Sequence, residues 1–241
     1  MEKPVLTPEQ LERLKNRHIR SFVLRRGHIS MAQKRALEEL LPRYKVEYST
    51  SQLDYTQVFH NDNDVVLEIG CGMGETTAAI AQATPDVNFL GCEVFAAGVG
   101  ALAKRLDEMN LQNVRIIQHD AVEIVRDMIP ENSLAGIHIY FPDPWRKARH
   151  HKRRLVAQPF IHTLVSRIRP GGYIHCATDW ENYAEQMLEV LEGEPLLENL
   201  HGQGSFSPVM GNPLCQRPCT KFQARGERLG HGIWDLVYLR K

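Results

Sequence analysis

The chain has 241 residues, 43% hydrophobic and 24% charged, with 29 Lys+Arg balanced by 29 Asp+Glu for a formal net charge of zero. This is the composition of a soluble globular protein, long enough for one large α/β domain and too short for two full ones. No apolar run approaches the roughly 18–20 residues of a membrane span, and the opening MEKPVLTPEQ is too polar for a secretory signal, so no membrane association and a cytoplasmic location are expected.

Residues 1–60 are polar and basic. Between Leu11 and Arg35 there are eight Lys/Arg against a single acid, Glu12. Helical patterns fall over 8–15 and 30–41, the second with Ser30 as an N-cap. The expectation is a basic N-terminal extension, partly ordered, ahead of a domain spanning 61–241. A neutral total with segregated positive patches suits a protein that meets a polyanion on one face.

From Asp64 the texture changes. VVLEIG (65–70) predicts a buried strand, followed by a glycine-rich turn and a helix over 76–83. NFLGCE (88–93) predicts a second strand with a helix over 96–109, and VRIIQHD (114–120) a third with a helix over 122–128. LAGIHIYF (134–141) is the fourth. A basic loop, a helix over 156–168, the turn Arg169-Pro170-Gly171-Gly172, strand YIHCAT (173–178) and a helix over 180–191 follow. The alternating GIWDLVYLR (232–240) reads as a last strand, paired with residues 196–200 as a hairpin around a long loop. Strand and helix in alternation imply a doubly wound, mostly parallel α/β sheet.

Cys71, Cys92 and Cys176 lie in apolar segments, where reduced, buried thiols are expected. Cys215 and Cys219 have a metal-like spacing, but no second Cys/His pair follows, so no metal is expected.

The first turn reads Glu68-Ile69-Gly70-Cys71-Gly72-Met73-Gly74. A glycine-rich turn feeding a helix lets a ligand lie against bare backbone. Its spacing is not the Gly-x-Gly-x-x-Gly of nicotinamide sites, where Glu75 would stand at the third glycine. With Glu68 also close by, pyrophosphate is poorly served, whereas the cationic S-adenosylmethionine is well matched. Glu93, at the end of the second strand, suits ribose hydroxyls in either kind of site, and Asp120, at the end of the third, suits an adenine amino group. All these residues fall at carboxyl ends of strands, where open α/β sheets bind ligands. The chain thus resembles the class I S-adenosylmethionine-dependent methyltransferases, and the resemblance implies a seven-stranded Rossmann-like sheet with an antiparallel C-terminal strand.

Strand four runs into FPDPWRKARHHKRR (141–154), in which Asp143 is the single acid before six Lys/Arg and two His. Together with LEIGCGMG, ATDWENYAE (177–185) and RPCTKFQARGERLGHGIWDL (217–236), this segment resembles the tRNA (guanine-N7-)-methyltransferases from about residue 30 to the C-terminus. The resemblance implies methylation of guanine at position 46 in the variable loop of tRNA, by a monomer or homodimer. It implies that Glu68, Gly70, Gly72, Gly74, Glu93, Asp120 and Asp143 hold the cofactor, with Asp143 also catalytic. Lys147, Asp179, Thr220, Lys221, Phe222 and Gln223 would contact the substrate, and Arg149, Lys152, Arg153 and Arg154 the RNA. The family has Glu where this chain has Gln223. Guanine N7 carries an in-plane lone pair and no proton, so it attacks a sulfonium methyl directly, and the enzyme supplies alignment and charge stabilisation rather than a general base. A nicotinamide-dependent oxidoreductase, a catalytically silent RNA binder and methylation of another base are the competing readings.

Overall fold

The computed structural model describes residues 18–23, 29–209 and 217–241. The helical pattern over 8–15, much of the basic block after Leu11, and Cys215 lie outside the described residues. A seven-stranded sheet of order β3-β2-β1-β4-β5-β7-β6 forms the centre. Its strands are β1 (Val65–Ile69), β2 (Asn88–Cys92), β3 (Val114–Ile117), β4 (Leu134–Tyr140), β5 (Ile168–Thr178), β6 (Leu197–Asn199) and β7 (Trp234–Arg240). The first five are parallel, and β7 runs antiparallel between β5 and β6.

β1 is buried along its whole length, as a central strand covered on both faces must be. Leu67 lies between Leu90 of β2 and Ile137 of β4 in the ladder. Side chains alternate between two cores, one holding Leu67, Leu90 and Ile139, the other Val66, Phe89 and Leu102. The order of strands reverses between β1 and β4. A crevice opens at that switch point beyond the carboxyl ends of the strands, flanked by the glycine turn on one side and the FPDPW segment on the other.

Around the sheet pack α1 (Met31–Arg35), α2 (Tyr55–Phe59), α3 (Glu75–Ala83), α4 (Ala96–Glu108), α5 (Ala121–Asp127), α6 (Phe160–Arg167), α7 (Glu181–Glu192) and α8 (Lys221–Arg228). Ser30 caps α1 in a reciprocal box with Gln33, the Ser30 hydroxyl accepting from Gln33 N (3.2 Å) and the Gln33 side chain from Ser30 N (2.9 Å). The helix continues through a π-helical turn, Ala36–Leu40, and a 3₁₀ turn, Leu41–Arg43. Gly100 of α4 lets the backbone of Gln33 approach: a Cβ there would come 2.7 Å from Gln33 O. Beyond it, Tyr44 is buried, and Tyr44 O and Val46 N bond Ile116 on either side (2.8 and 2.9 Å), covering the outer edge of β3. Within the basic N-terminal segment, residues 30–46 thus pack against α4 and β3.

Two other expectations shift. Arg169 to Gly172 is not a turn ahead of the fifth strand but a bulge within β5: Leu134 faces Ile168, and two residues later Gly136 faces Tyr173. Gly171, at φ +77°, supplies the left-handed residue the bulge requires. The helix expected from 156 begins at Phe160, with Pro159 at its N-cap, because proline disfavours helical geometry in the residue before it.

Tyr44 tests the integration of the N-terminal segment. Its hydroxyl is buried and unpartnered among the described residues. Tyr44→Ala is expected to cost about 3–5 kcal/mol in urea unfolding, and Tyr44→Phe less than about 0.5 kcal/mol, because it removes no hydrogen bond. An alanine variant of wild-type stability would show that this segment is not part of the cooperative fold.

Candidate active site

The glycine turn is held by backbone. Gly70 N and Cys71 N both donate to Cys92 O, at 2.9 and 3.3 Å. Gly74, at φ +74°, caps α3, and a Cβ there would lie 2.5 Å from Leu102 of α4, so both conformation and packing demand glycine. Glu93 braces the turn from β2. Its Oε2 accepts from Gly72 N (2.8 Å), while Oε1 accepts from Val94 N (2.7 Å) and Phe95 N (3.0 Å). Glu68 lies beneath, 3% exposed, with Oε2 lacking a partner among the described residues. Burial pushes its carboxyl up to about 7, only partly offset by the neighbouring Thr77 hydroxyl.

Asp120 caps α5 by accepting from Val122 N (3.0 Å), and its other oxygen meets His18 Nε2 at 2.8 Å. His119 beside it stacks on Tyr48, with ring centroids 3.7 Å apart. These strand ends enclose a cavity of about 470 Å³ walled by Gly70, Gly72, Glu93, Asp120, Asp143 and Phe222, with Ile69, Val94, Phe95, Ala121, Tyr140, Phe141 and Trp145 among the apolar and aromatic surfaces. Three carboxylates face it, and among the described residues no lysine or arginine lines it. A pyrophosphate would be repelled by such a wall, whereas a sulfonium with an ammonium and an adenosine is well accommodated. The donor set fits S-adenosylmethionine: Glu93 and Asp120 stand on the cavity wall, whereas Glu68, beneath the turn, and Gly74 do not line it.

The end of β4 is kinked at two non-glycine residues in the left-handed region, Phe141 (φ 50°) and Trp145 (φ 46°), a geometry that costs about 1–3 kcal/mol per residue and clusters at functional sites. Asp143 sits between them, exposed, with Oδ1 accepting from Trp145 N at 3.0 Å. Trp145 packs under the loop: its indole N–H donates to Ser21 O (3.0 Å) and the Arg153 guanidinium lies 5.1 Å from its ring centroid. Arg146 sits 4.5 Å over Trp180, while Lys147, Arg149 and Lys152 are exposed. Local desolvation, with the charges of Arg149, Arg153, Lys147 and Lys152, holds His150 below its ordinary value.

Arg154 departs from expectation. It is 4% exposed and bonds Pro144 O (2.9 Å), Gln186 Oε1 (2.6 Å) and Asn182 Oδ1 (2.9 Å), with its guanidinium 4.7 Å from the centroid of Tyr183. Its donors are consumed in tying the loop to α7, so it belongs to the fold and not to an RNA-facing surface.

The C-terminal motif is divided likewise. Phe222 is 58% exposed and stacks on Phe141, centroids 6.1 Å apart and 18° from parallel. Lys221 pairs with Glu75 of α3 at 2.5 Å. The Thr220 hydroxyl caps α8 by accepting from Gln223 N at 3.0 Å. Gln223 is 6% exposed and both ends of its amide are engaged, by Arg217 and Glu227; the expected substrate contact is not available to it. Asp179 packs below α8, where a Cβ on Gly226 would lie 3.0 Å from its own. Lys147, Asp179, Thr220, Lys221 and Gln223 do not line the cavity. Phe141, though inside the FPDPW motif, Phe95 and the segment Ser21–Val23 were given no role by the sequence, yet all stand in the cavity wall. Among the described residues no cluster of three or more His, Cys, Asp or Glu could hold a metal, and no helix is long and apolar enough to cross a membrane.

Residues 62–236 match the sequence family described as "Putative methyltransferase". The chain is 58% identical over 223 residues to a tRNA (guanine-N(7)-)-methyltransferase of Bordetella pertussis, covering 92% of this chain and 85% of that one. It is 55% identical over 235 residues to the enzyme of the same name in Paraburkholderia xenovorans, covering 98% and 88%. Among solved structures, the 16S rRNA methyltransferase KamB superimposes with a TM-score of 0.54 at 14% identity, covering 79% of this chain and 95% of that one, which bears on the fold alone.

The buried carboxyl of Glu68 has a pH signature. A folded-state value near 7, against an ordinary 4.5, means the native protein holds this proton more tightly than the unfolded chain. Stability is then fullest below pH 4.5 and falls as pH rises toward 7. Glu68→Gln is expected to stabilise the ligand-free protein by up to about 3 kcal/mol at pH 8 relative to its effect at pH 4.5. Denaturant unfolding at the two pH values reads this; equal effects would mean that the carboxyl is solvated or partnered.

Proposed function

The chain belongs to the tRNA (guanine-N(7)-)-methyltransferase family, and from this we propose that it transfers the methyl group of S-adenosylmethionine to N7 of a guanine in tRNA. The observation that carries the reading is the cavity at the switch point: three carboxylates and, among the described residues, no lysine or arginine on its wall, opening beside a loop that exposes Arg146, Lys147, Arg149 and Lys152.

S-adenosylmethionine supplies an electrophilic methyl on a sulfonium. Glu93 and Asp120, each fixed by backbone amides, hold the adenosine end. Guanine N7 needs no deprotonation, so the side chains at the end of β4 have two tasks. The Phe141–Phe222 pair offers a flat surface on which the base stacks, as unpaired bases stack on aromatics. Asp143, on the cavity wall, offsets positive charge developing on the purine. Its backbone is limited by Pro142 and Pro144. We assign Lys147, Asp179 and Lys221 to the substrate around this surface, and Arg149, Lys152 and Arg153 to phosphates.

Labelled S-adenosylmethionine with unmodified tRNA tests the reaction. Label in N7-methylguanosine is expected, with borohydride/aniline cleavage at one site in the variable loop. RNA binding without transfer would favour a silent binder, and label in another base would move the chemistry elsewhere.

Asp143→Ala is expected to lower kcat by about 100-fold or more, while S-adenosylhomocysteine binding changes little; a near-wild-type rate would remove Asp143 from catalysis. Replacing Lys152 and Arg153 together by Ala should weaken tRNA binding and reduce the slope of log Kd against log salt by roughly 1.5, while lowering the unfolding free energy by no more than about 1 kcal/mol through loss of the Arg153–Trp145 contact. An unaltered slope would make both residues plain solvated surface.

A further inference from the structure

A chain of buried polar groups runs behind the Phe141–Phe222 surface. Arg217, 5% exposed, grips Asp235 of β7 with two nitrogens, Nε to Oδ1 at 2.8 Å and a terminal nitrogen to Oδ2 at 2.6 Å. Its other terminal nitrogen donates to Gln223 Oε1 at 2.6 Å, and Gln223 Nε2 donates onward to Glu227 Oε1 at 2.9 Å. On the far side His175 Nε2 lies 2.6 Å from Asp235 Oδ1, and its Nδ1 lies 3.1 Å from the Tyr140 hydroxyl. Burial opposes charge on Asp235, but the bonds from His175 and Arg217 outweigh it and hold the carboxyl below its ordinary range. Burial likewise holds His175 below its ordinary value, so it stays neutral and donates through Nε2. The guanidinium of Arg217 also lies 5.3 Å from the Phe141 ring centroid and 5.9 Å from that of Tyr140.

One cation therefore joins β7, α8 and the strained end of β4. The amide of Gln223 is suited to its place, because it must accept from Arg217 and donate to Glu227 at once. Turning the amide over would set NH₂ against guanidinium and oxygen against carboxylate. A carboxylate at 223 would satisfy Arg217 but face Glu227 with no proton between them.

We propose that Arg217 and Gln223 are positioning residues for methyl transfer, fixing the Phe141–Phe222 surface and through it the acceptor base and Asp143, and that Gln223 does not read the guanine edge. The inference rests on the methyltransferase reading. Phe141 stands two residues before Asp143, so displacing its ring displaces the carboxylate as well. Loss of the bridge is a fault of alignment and appears in kcat as well as in KM for tRNA.

The test is an exchange of partners. Gln223→Glu alone is expected to lower kcat/KM for tRNA by about 10- to 100-fold, with S-adenosylhomocysteine affinity unchanged. The double variant Gln223→Glu/Glu227→Gln restores the donor–acceptor order in mirror form, and should recover kcat/KM to within about threefold of wild type. If residue 223 instead read guanine N1–H and N2–H, Gln223→Glu would keep or raise kcat/KM, and adding Glu227→Gln would change nothing; either result overturns the proposal. Recovery of unfolding free energy in the double variant without recovery of kcat would reduce the bridge to a structural role and also overturn it. A wild-type protein that transfers no methyl to tRNA would instead sink the functional reading and this inference with it.

Discussion

Carboxylates gathered around one cavity repel one another, and the protein must carry that repulsion whenever no cation lies among them. Each acid is contained by a different device. Glu93 spreads its charge over three backbone amides, and Asp120 sits at the start of a helix with His18 on its free oxygen. Asp143 keeps contact with solvent and one amide. Glu68, beneath the glycine turn and off the cavity wall, is pushed by burial toward its protonated form. Glycine turn, strand ends and helix starts are all arranged to supply those amides, so the architecture at the switch point answers an electrostatic need before it answers a catalytic one.

The same constraint explains where the cations are. Lysine and arginine inside the cavity would neutralise the acids and compete with a cationic ligand, yet RNA demands positive charge nearby. The loop after Asp143 separates the two by a few residues, with Pro142, Pro144 and Trp145 turning the chain outward before Arg146. The division within the run is sharp: Arg153 lies over Trp145 near the surface, and the next residue, Arg154, points inward to bind α7.

That contrast marks what could be read in the amino-acid sequence. Buried parallel strands appear as apolar runs, glycines mark the turn, and acids at strand ends mark the ligand side, because these depend on local pattern and chain order. Ser30 was legible as a cap for the same reason. Whether Arg153 or Arg154 meets solvent depends on Asn182 and Gln186, some 30 residues away, and no local signal carries it. Family resemblance places Gln223 at a position without giving its orientation, which Arg217 and Glu227 decide. The packing of residues 29–60 escaped for a related reason: short polar helices look solvated until the groove beside Gly100 is known.

Phe141 stands at the hinge of this arrangement, with a backbone conformation that glycine would adopt without strain. Glycine there would relieve about 1–2 kcal/mol of backbone strain and give up the contacts of the ring with Phe222 and Arg217. Phenylalanine at 141 thus carries backbone strain in exchange for a ring that, on the proposed reading, receives the acceptor base. Attempts to harden this protein by relieving its left-handed residues can proceed at His60, Asn110 and Asn132, but at 141 the relief of strain would remove one half of the ring surface proposed for the acceptor base.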